Sequence, residues 1–252
     1  MLCYTFGRYI QSMFHPAGPT FWELAQQCLS STERGYDLLA PKFDHTPFRT
    51  PDIVLDGLAR LLGPPRSVDA ALDVCCGTGA AIGLLRPLCR QRVVGIDFSR
   101  GMLEVARRRF PDQPGEPRVE LVRGDVLHMD FHDEFDLAVT VGSLGHILPR
   151  DEPRLVGRIA AALKPGGRFA FVTAEMPRWW SRQAVLARGF NAAMHVRNLL
   201  KRPSFIMFYL TFLLPEARAL LEQHGFDVAV HRDAFAGRLR QLQVVVATKR
   251  GG

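Results

Sequence analysis

The sequence has little lysine, few cysteines and no long apolar run. Lysine occurs only at positions 42, 164, 201 and 249, so arginine carries almost all of the formal net charge of +7. A basic chain can contact RNA or a membrane surface, but net charge alone establishes neither. The longest apolar run, residues 205–215, falls short of the roughly 20 residues that a membrane-spanning helix needs. We therefore expect no span there.

The cysteines exclude a metal-ligand or disulfide framework. They number five, an odd count, and none has the spacing of metal ligands; they are Cys3, Cys28, Cys75, Cys76 and Cys89. The histidines show no pairing that would suggest a metal site either. The N-terminus has Tyr, Arg and Gln where a signal peptide has an apolar core. These features predict reduced thiols, no metal and a cytoplasmic location.

Apolar strands alternate with helices from residue 70 onward. Strands are expected at 70–74, 92–96, 118–122, 135–140 and 168–174, with helices at 80–89, 100–109 and 151–163 between them. Such alternation predicts a parallel sheet with helices on both faces. The chain is long enough for one α/β domain with additions. Upstream of this core, Thr50 as N-cap and Pro51 in the first turn predict a helix ending near residue 62.

The C-terminal part follows another pattern. A helix is expected from residue 216 to a glycine stop at Gly225, followed by strands at 227–234 and 239–248 around Gly237. Strands joined by so short a turn must be antiparallel. The fold class predicted is α/β: a Rossmann-like, doubly wound sheet of seven strands, mostly parallel, with an antiparallel C-terminal hairpin strand and a helical lid.

Residues 71–79 form the most informative stretch. They read as a buried strand running into a glycine-bounded turn, and Asp97 ends the next strand. This layout predicts a nucleotide-type pocket, with the acid placed to accept hydrogen bonds from ribose hydroxyls. A dinucleotide fingerprint would need a small third residue where Ile82 stands, and the carboxylate of Asp73 is unfavourable beside phosphate. The turn therefore argues against a dinucleotide.

Five ordered motifs carry a resemblance to a known family. Residues 71–79 correspond to D-x-G-x-G-x-G, with Cys75 in place of the first glycine. The other motifs lie at residues 93–107, 120–126, 135–140 and 163–172. Together they resemble the class I S-adenosylmethionine-dependent methyltransferases of the small-molecule (UbiE-like) type. The C-terminal hairpin also fits that family rather than the dehydrogenases.

The resemblance implies a set of cofactor-binding residues. The loop after Asp73 would contact the methionine part of S-adenosylmethionine, Asp97 the ribose and Asp125 the adenine amine; a solvated loop position is the alternative for Asp125, and core packing for Met102. The implied set is Asp73, Cys75, Cys76, Gly77, Thr78, Gly79, Asp97, Phe98, Met102, Gly124, Asp125, Val126, Thr140, Val141 and Gly142.

An aromatic-rich insertion follows the core and suggests a substrate-covering lid. In this family an insertion at this place commonly folds over the substrate. Candidate substrate-binding residues, including two from the N-terminal segment, are Tyr36, Phe43, Trp179, Trp180, Phe190, His195, Phe208 and Tyr209. His146 is the candidate general base, because a histidine titrates near neutral pH; packing against the cofactor is its other interpretation. An acidic acceptor would need no base at all.

The expected function is methyl transfer to a small apolar or aromatic metabolite, as in secondary metabolism, at oxygen. In-line displacement from a sulfonium asks mainly for alignment in a dry site. Methylation of a membrane lipid or quinone precursor, of RNA or of protein, and cofactor binding without catalysis remain alternatives. Nucleic acid is not expected, because no N-P-P-Y-like motif follows the fourth strand. Residues 182–202, basic and apolar, could instead contact a membrane surface; a lid helix whose apolar face covers the pocket is the favoured interpretation of the same segment.

We expect the chain to be a single methyltransferase domain with four parts. Residues 1–62 would be an N-terminal helical lid, 68–175 the cofactor-binding core, 176–213 the substrate-covering insertion and 214–250 a C-terminal helix and hairpin. The oligomeric state and the acceptor cannot be read from the sequence.

Overall fold

Segments rich in valine, leucine, isoleucine and alanine form the strands of one mixed sheet. The computed structural model describes residues 16–46 and 48–251, so the expectations about the extreme N-terminus and Cys3 lie outside the described residues. Within them the strands are β1 Val68–Val74, β2 Cys89–Asp97, β3 Arg118–Arg123, β4 Phe135–Thr140, β5 Leu163–Ala174, β6 Phe226–His231 and β7 Leu242–Lys249.

The strand order of this sheet is β3-β2-β1-β4-β5-β7-β6. β1 to β5 pair in parallel, whereas β7 runs antiparallel to both β5 and β6. The chain winds outward from β1 to β3 and then returns to place β4 on the other side of β1. Open α/β sheets bind ligands at the carboxyl ends of the strands where such a reversal occurs. The predicted fold class is confirmed.

Helices cover both faces of the sheet. The described helices are α1 Phe21–Leu29, α2 Thr32–Leu39, α3 Asp52–Leu62, α4 Ala80–Leu85, α5 Arg100–Arg109, α6 Glu152–Ala162, α7 Arg182–Leu200 and α8 Glu216–Gln223. Ala71 and Leu72 are neighbours on β1 but belong to different buried clusters, because successive side chains of a strand point to opposite faces. One cluster packs on α3 and α4, and the other on α6 and α8.

The N-terminal helices begin where local side chains satisfy free backbone N–H groups. Thr20 and Glu23 form a reciprocal capping box at the start of α1, and the Ser31 side chain accepts from the Arg34 N–H at the start of α2. A 3₁₀ turn, Ala40–His45, continues from α2 toward the sheet. These elements lie over the carboxyl end of the sheet, as their contacts below show.

The insertion between β5 and α8 consists of one long helix and a returning segment. Ser181 caps α7 by accepting from the Ala184 N–H. The returning segment follows α7 back to the sheet, where the Phe208 N–H donates to the Gly145 carbonyl at 2.7 Å. Met194 of α7, Phe205 and Phe208 form a small buried cluster of their own.

Several predicted boundaries were wrong. Thr50 does not cap α3: the N-cap is Pro51 and no side-chain hydrogen bond closes that end. α4 ends at Leu85, because Pro87 enforces a 3₁₀ turn, Arg86–Leu88. β5 begins at Leu163 rather than 168. The hairpin connection is longer than a tight turn, since β6 ends at His231 and β7 begins at Leu242, although their antiparallel pairing is confirmed. Within the described ranges, no helix combines the length and apolarity that crossing a membrane requires.

Candidate active site

The loop after β1 is built to bring backbone groups toward a ligand. Cys75, Gly77 and Gly79 all have left-handed backbone conformations, with φ of 61°, 52° and 87°. Such angles favour glycine, so the cysteine at position 75 holds a conformation that its side chain disfavours. The Cys76 N–H donates to the Ile96 carbonyl at 3.0 Å, which fixes the loop to the end of β2. The burial of Cys75, and next the negative charge of Asp97, raise the pKa of its thiol, so it is not poised as a nucleophile.

Asp97 at the end of β2 is held by two backbone N–H groups. Gly77 donates to Oδ2 and Ser99 to Oδ1, both at 2.9 Å. Burial raises the pKa of this carboxyl, and these two hydrogen bonds oppose that effect. Each carboxylate oxygen has a second lone pair. The fixed carboxylate can therefore accept hydrogen bonds from two neighbouring hydroxyl groups, as a ribose presents them.

Asp73 near the end of β1 is a buried carboxyl without a partner. Its side chain is 1% exposed, and neither oxygen has a hydrogen-bond partner within the described residues. Burial, and next the nearby charge of Asp97, raise its pKa to about 8. An unpaired buried carboxylate is costly and is stabilised by a positive charge. The pair of Asp73 and Asp97 thus favours a cationic ligand at this end of the sheet.

The N-terminal segment is fastened over this end by two aspartates. Asp37 of α2 accepts from the Ser99 hydroxyl at 2.6 Å and from the Gly101 N–H at 2.8 Å, at the start of α5. Asp44 accepts from the Thr78 hydroxyl at 2.8 Å. Both contacts join the N-terminal segment to the loops that follow β1 and β2.

A tyrosine–histidine pair joins the N-terminal segment to the loop after β4. The Tyr36 hydroxyl lies 2.7 Å from His146 Nε2, and His146 Nδ1 lies 2.6 Å from the Ile206 carbonyl. A carbonyl can only accept, so Nδ1 carries the hydrogen and Nε2 accepts from Tyr36. Burial lowers the pKa of His146, and the hydrogen bond to Ile206 opposes that effect. His146 is therefore a neutral base at neutral pH.

The N-terminal segment and the loops after β1, β2 and β4 together line one cavity at the carboxyl end of the sheet. Cofactor candidates in its wall are Cys75, Cys76, Gly77, Thr78, Asp97, Phe98, Met102, Val141 and Gly142; Tyr36, Phe43 and His146 from the other candidate sets line it too. The structure therefore brings together residues that are far apart in the sequence.

Other candidate residues lie outside the cavity wall. Asp73, Gly79 and Thr140 are structural neighbours of the loop, and the Thr140 hydroxyl donates to the Val74 carbonyl at 2.8 Å. Asp125 is exposed and accepts from the Leu127 N–H, with Gly124 and Val126 beside it. The substrate candidates on the insertion do not line the cavity. Three of them are exposed: Trp179, Trp180 and His195. The other three, Phe190, Phe208 and Tyr209, pack within the insertion.

Sequence reasoning missed a group of wall residues contributed by the segment before α3, the start of α4 and the loop after β4. They are Phe48, Arg49, Thr50, Ala80 and Ser143. The side chain of Thr50 lies close to the loop after β4, because a Cβ added to Gly142 would be 3.0 Å from its Oγ1. No motif or periodicity marks residues 48–50. Ser143 directly follows the candidates Val141 and Gly142, so an extension of that motif would have found it.

The residues present fit S-adenosylmethionine. Its ribose diol matches the free lone pairs of Asp97, and the buried carboxyl of Asp73, which lies behind the cavity wall, adds negative charge that favours its positive amine and sulfonium. Phe98 and Met102 supply an apolar wall for a flat base. No cluster of three or more His, Cys, Asp or Glu side chains suited to a metal occurs within the described part of the chain. Sheet order and cavity together define a class I S-adenosylmethionine-dependent methyltransferase.

Comparison with known proteins supports this class. The methyltransferase domain family matches residues 71–167. The chain is 33% identical over 193 residues to the 2-phytyl-1,4-naphtoquinone methyltransferase of Thermosynechococcus vestitus, covering 71% of this chain and 80% of that protein. It is 29% identical over 193 residues to the O-methyltransferase cnsE of Penicillium expansum, covering 71% and 69%.

A solved structure shows the same fold over almost the whole chain. The O-methyltransferase family protein of Burkholderia thailandensis superposes with a TM-score of 0.65 at 18% identity, covering 98% of this chain and 69% of that one. At this identity the likeness concerns the fold alone. With the naphthoquinone methyltransferase matched over most of its length, the chain belongs to the family of S-adenosylmethionine-dependent methyltransferases, and it is an enzyme of that kind.

Proposed function

We propose that the chain methylates a hydroxyl group of a small aromatic metabolite, such as a phenol or a hydroquinone. The observation that carries this proposal is the Tyr36–His146 pair in the wall of the cavity. Phe43, Phe48 and Val141 supply surfaces for a flat ring. The names of the two relatives, a naphthoquinone methyltransferase and an O-methyltransferase, are consistent with such an acceptor.

The pair can remove the proton of the acceptor hydroxyl. S-adenosylmethionine, when bound, would supply the methyl group by losing its S–CH3 bond and would leave as S-adenosylhomocysteine. The acceptor hydroxyl donates to the Tyr36 oxygen, and the Tyr36 proton moves to His146 Nε2, while Nδ1 keeps its hydrogen bond to Ile206. The acceptor oxygen gains the methyl group as it loses its proton, and the imidazolium then releases that proton to solvent. Tyr36 and His146 thus act as general-base machinery.

The cavity wall also contains a cation that complements the cofactor carboxylate. Arg49 lines the cavity, and one of its nitrogens lies 2.5 Å from the exposed Asp52. Arginine binds carboxylates through two parallel hydrogen bonds. We assign Arg49 to the carboxylate of the methionine part, opposite in charge to the Asp73 side of the site.

The proposal includes a cytoplasmic location and a small-molecule partner. Cys28, Cys75, Cys76 and Cys89 are free thiols in the structure, which suits a reducing compartment. Methylation of a lipid or quinone precursor is the second candidate, and the name of the naphthoquinone-acting relative favours it over RNA or protein.

The test is a transfer assay with methyl-labelled S-adenosylmethionine and a panel of phenols, naphthols and hydroquinones, with RNA and protein as further acceptors. We expect a labelled methyl ether from at least one phenolic acceptor, identified by mass spectrometry and by the NMR correlation of the methyl carbon to oxygen-bearing carbon. A product methylated at carbon would overturn the assignment to oxygen while leaving the enzyme class intact. Labelling of RNA or protein alone would overturn the small-molecule assignment.

A further inference from the structure

The outer side of α7 is apolar although no part of the described protein covers it. The inner side is buried through Ala184, Ala187 and Met194. The large residues of the outer side are Val185, Leu186, Val196, Leu199 and Leu200, and the last two are 79% and 80% exposed. At about 100° per residue these five positions fall within an arc of roughly 140°, so they share one side of the helix. We call this surface the outer face of α7.

The apolar surface extends beyond the helix. Trp179 and Trp180, just before α7, are 70% and 59% exposed. Phe21 and Trp22 of α1 are exposed as well. Arg197 of α7 holds the two helices together, because it donates to the Cys28 and Ser30 carbonyls at 2.9 and 2.7 Å. The two helices that carry these exposed groups are therefore joined by direct hydrogen bonds.

The same region carries positive charge without compensation. Residues 176–215 contain no Asp or Glu, and six Lys or Arg side chains: Arg178, Arg182, Arg188, Arg197, Lys201 and Arg202. None of the six forms an ion pair with a carboxylate among the residues that the structure describes. In the sheet, by contrast, arginines do pair with carboxylates: Arg92, for example, pairs with both Glu120 and Glu134. The lid is a cationic surface around an apolar face.

We propose that the outer face of α7 binds the surface of an anionic lipid bilayer. Apolar side chains and tryptophans enter the boundary between headgroups and acyl chains, and flanking cations attract anionic headgroups. A helix of about 28 Å can lie in that plane, and it is not of the kind that crosses a membrane. A second copy of the chain would bring the same uncompensated positive charge and is the less favourable occupant.

This inference goes beyond the proposed chemistry and does not depend on it. Binding to a bilayer would place the outer face of α7 against the lipid, in which an apolar acceptor dissolves. The methyl-transfer reaction in solution or detergent would remain if docking failed, so the two proposals can fail separately.

The test is flotation of the full chain with phosphatidylcholine vesicles, with and without phosphatidylglycerol, at low and high salt. We expect the protein to float with the anionic vesicles and to be released by salt. The double variant Leu199→Glu/Leu200→Glu should lower the bound fraction by about tenfold or more, because it puts charge into the apolar face. Ile53→Glu, at a comparably exposed position on α3, is the matched control and should float like the wild type.

A second pair of variants tests the charge. Lys201→Gln and Arg202→Gln should each weaken binding by about fivefold, whereas Arg150→Gln, an exposed arginine paired with Asp151, should have little effect. Titration with S-adenosylhomocysteine checks that each variant is folded. No flotation with anionic vesicles would overturn the proposal, and so would equal, salt-independent binding to neutral vesicles. A wild-type dimer that Leu199→Glu/Leu200→Glu disperses, without vesicle binding, would assign the face to a second copy instead.

Discussion

At the scale of single residues, the burial of Asp73 destabilises the folded protein when its carboxyl group is ionised. Its pKa rises from 3.8 to about 8 on folding, mainly through burial and next through Asp97. Between these values the folded protein binds a proton that the unfolded chain releases, so the free energy of unfolding falls as pH rises from about 4 to 8. A ligand cation in the adjoining cavity would lower this cost.

We therefore expect Asp73→Asn to abolish that pH dependence in the ligand-free protein. At pH 8 the variant should be more stable than the wild type by about 2–5 kcal/mol, and at pH 5 the two should differ much less. Denaturant unfolding at both pH values measures this difference. If the free energies of unfolding of the variant and the wild type changed with pH in the same way, the raised pKa of Asp73 would be contradicted.

Asp97 has the opposite role, because its carboxylate is already organised for binding. Asp97→Asn keeps an oxygen for one backbone N–H but loses the charge and one acceptor. We expect the Kd for S-adenosylmethionine to rise about 10- to 100-fold, the scale of a lost charged hydrogen bond. Isothermal titration measures it, with the exposed Asp112→Asn as control. An unchanged Kd for Asp97→Asn would exclude Asp97 from ribose binding.

The Tyr36–His146 pair makes the proposed general base testable. Tyr36→Phe keeps the ring contacts with Phe43 and Phe205 but removes the hydroxyl. Tyr36→Phe and His146→Gln should each lower kcat by about 10²- to 10⁴-fold with a small change in KM. His195→Gln, on the exposed part of the insertion, should leave kcat unchanged.

The pH dependence of kcat distinguishes a catalytic role of His146 from a packing role. Because burial lowers the pKa of His146 below 6.5, kcat should be flat near neutral pH and fall only under more acidic conditions, and His146→Gln should lack this acid limb. A His146→Gln variant with wild-type kcat would show that the acceptor ionises without help and that the histidine only packs.

At the scale of elements, Arg197 connects α7 to the end of α1 and to the segment that returns to the sheet. Besides the carbonyls of α1 it donates to the Pro203 carbonyl at 2.8 Å, and the Ile206 N–H donates to Thr32 at 2.7 Å. Arg197→Lys keeps the charge but cannot reach these carbonyls together, because lysine lacks the planar fork. We expect faster amide exchange in α1, α2 and residues 203–208, with a loss of about 1–3 kcal/mol in stability. Hydrogen exchange should show no such change for Arg188→Lys.

The strands and the glycine loop could be predicted because their signals are local. The apolar run before Cys75 and the acid at position 97 mark strand ends, and parallel strands bring those ends together. The wall residues 48–50 had no local signal, since their place depends on how Asp37, Asp44 and Tyr36 dock on distant loops. Composition alone could not orient Trp179 and Trp180, because an aromatic residue packs equally well inward or outward until its neighbours are known.

At the scale of the whole molecule, the division into one domain with a lid stays a prediction. If it holds, differential scanning calorimetry should show one cooperative transition. S-adenosylhomocysteine at about 100 times its Kd should then stabilise the folded state by about 2.7 kcal/mol and shift that single transition upward. Two transitions, with only one of them moved by the ligand, would show that the lid unfolds separately from the core.

The fastening of the N-terminal segment has a consequence for how it moves. Tyr36, Asp37 and Asp44 tie this segment to three loops of the cofactor cavity, and Arg197 and Thr32 tie it to the insertion. We therefore expect the segment to move together with these loops and with the insertion, so that a ligand bound in the cavity slows amide exchange in α1 and α2 as well as in the loops.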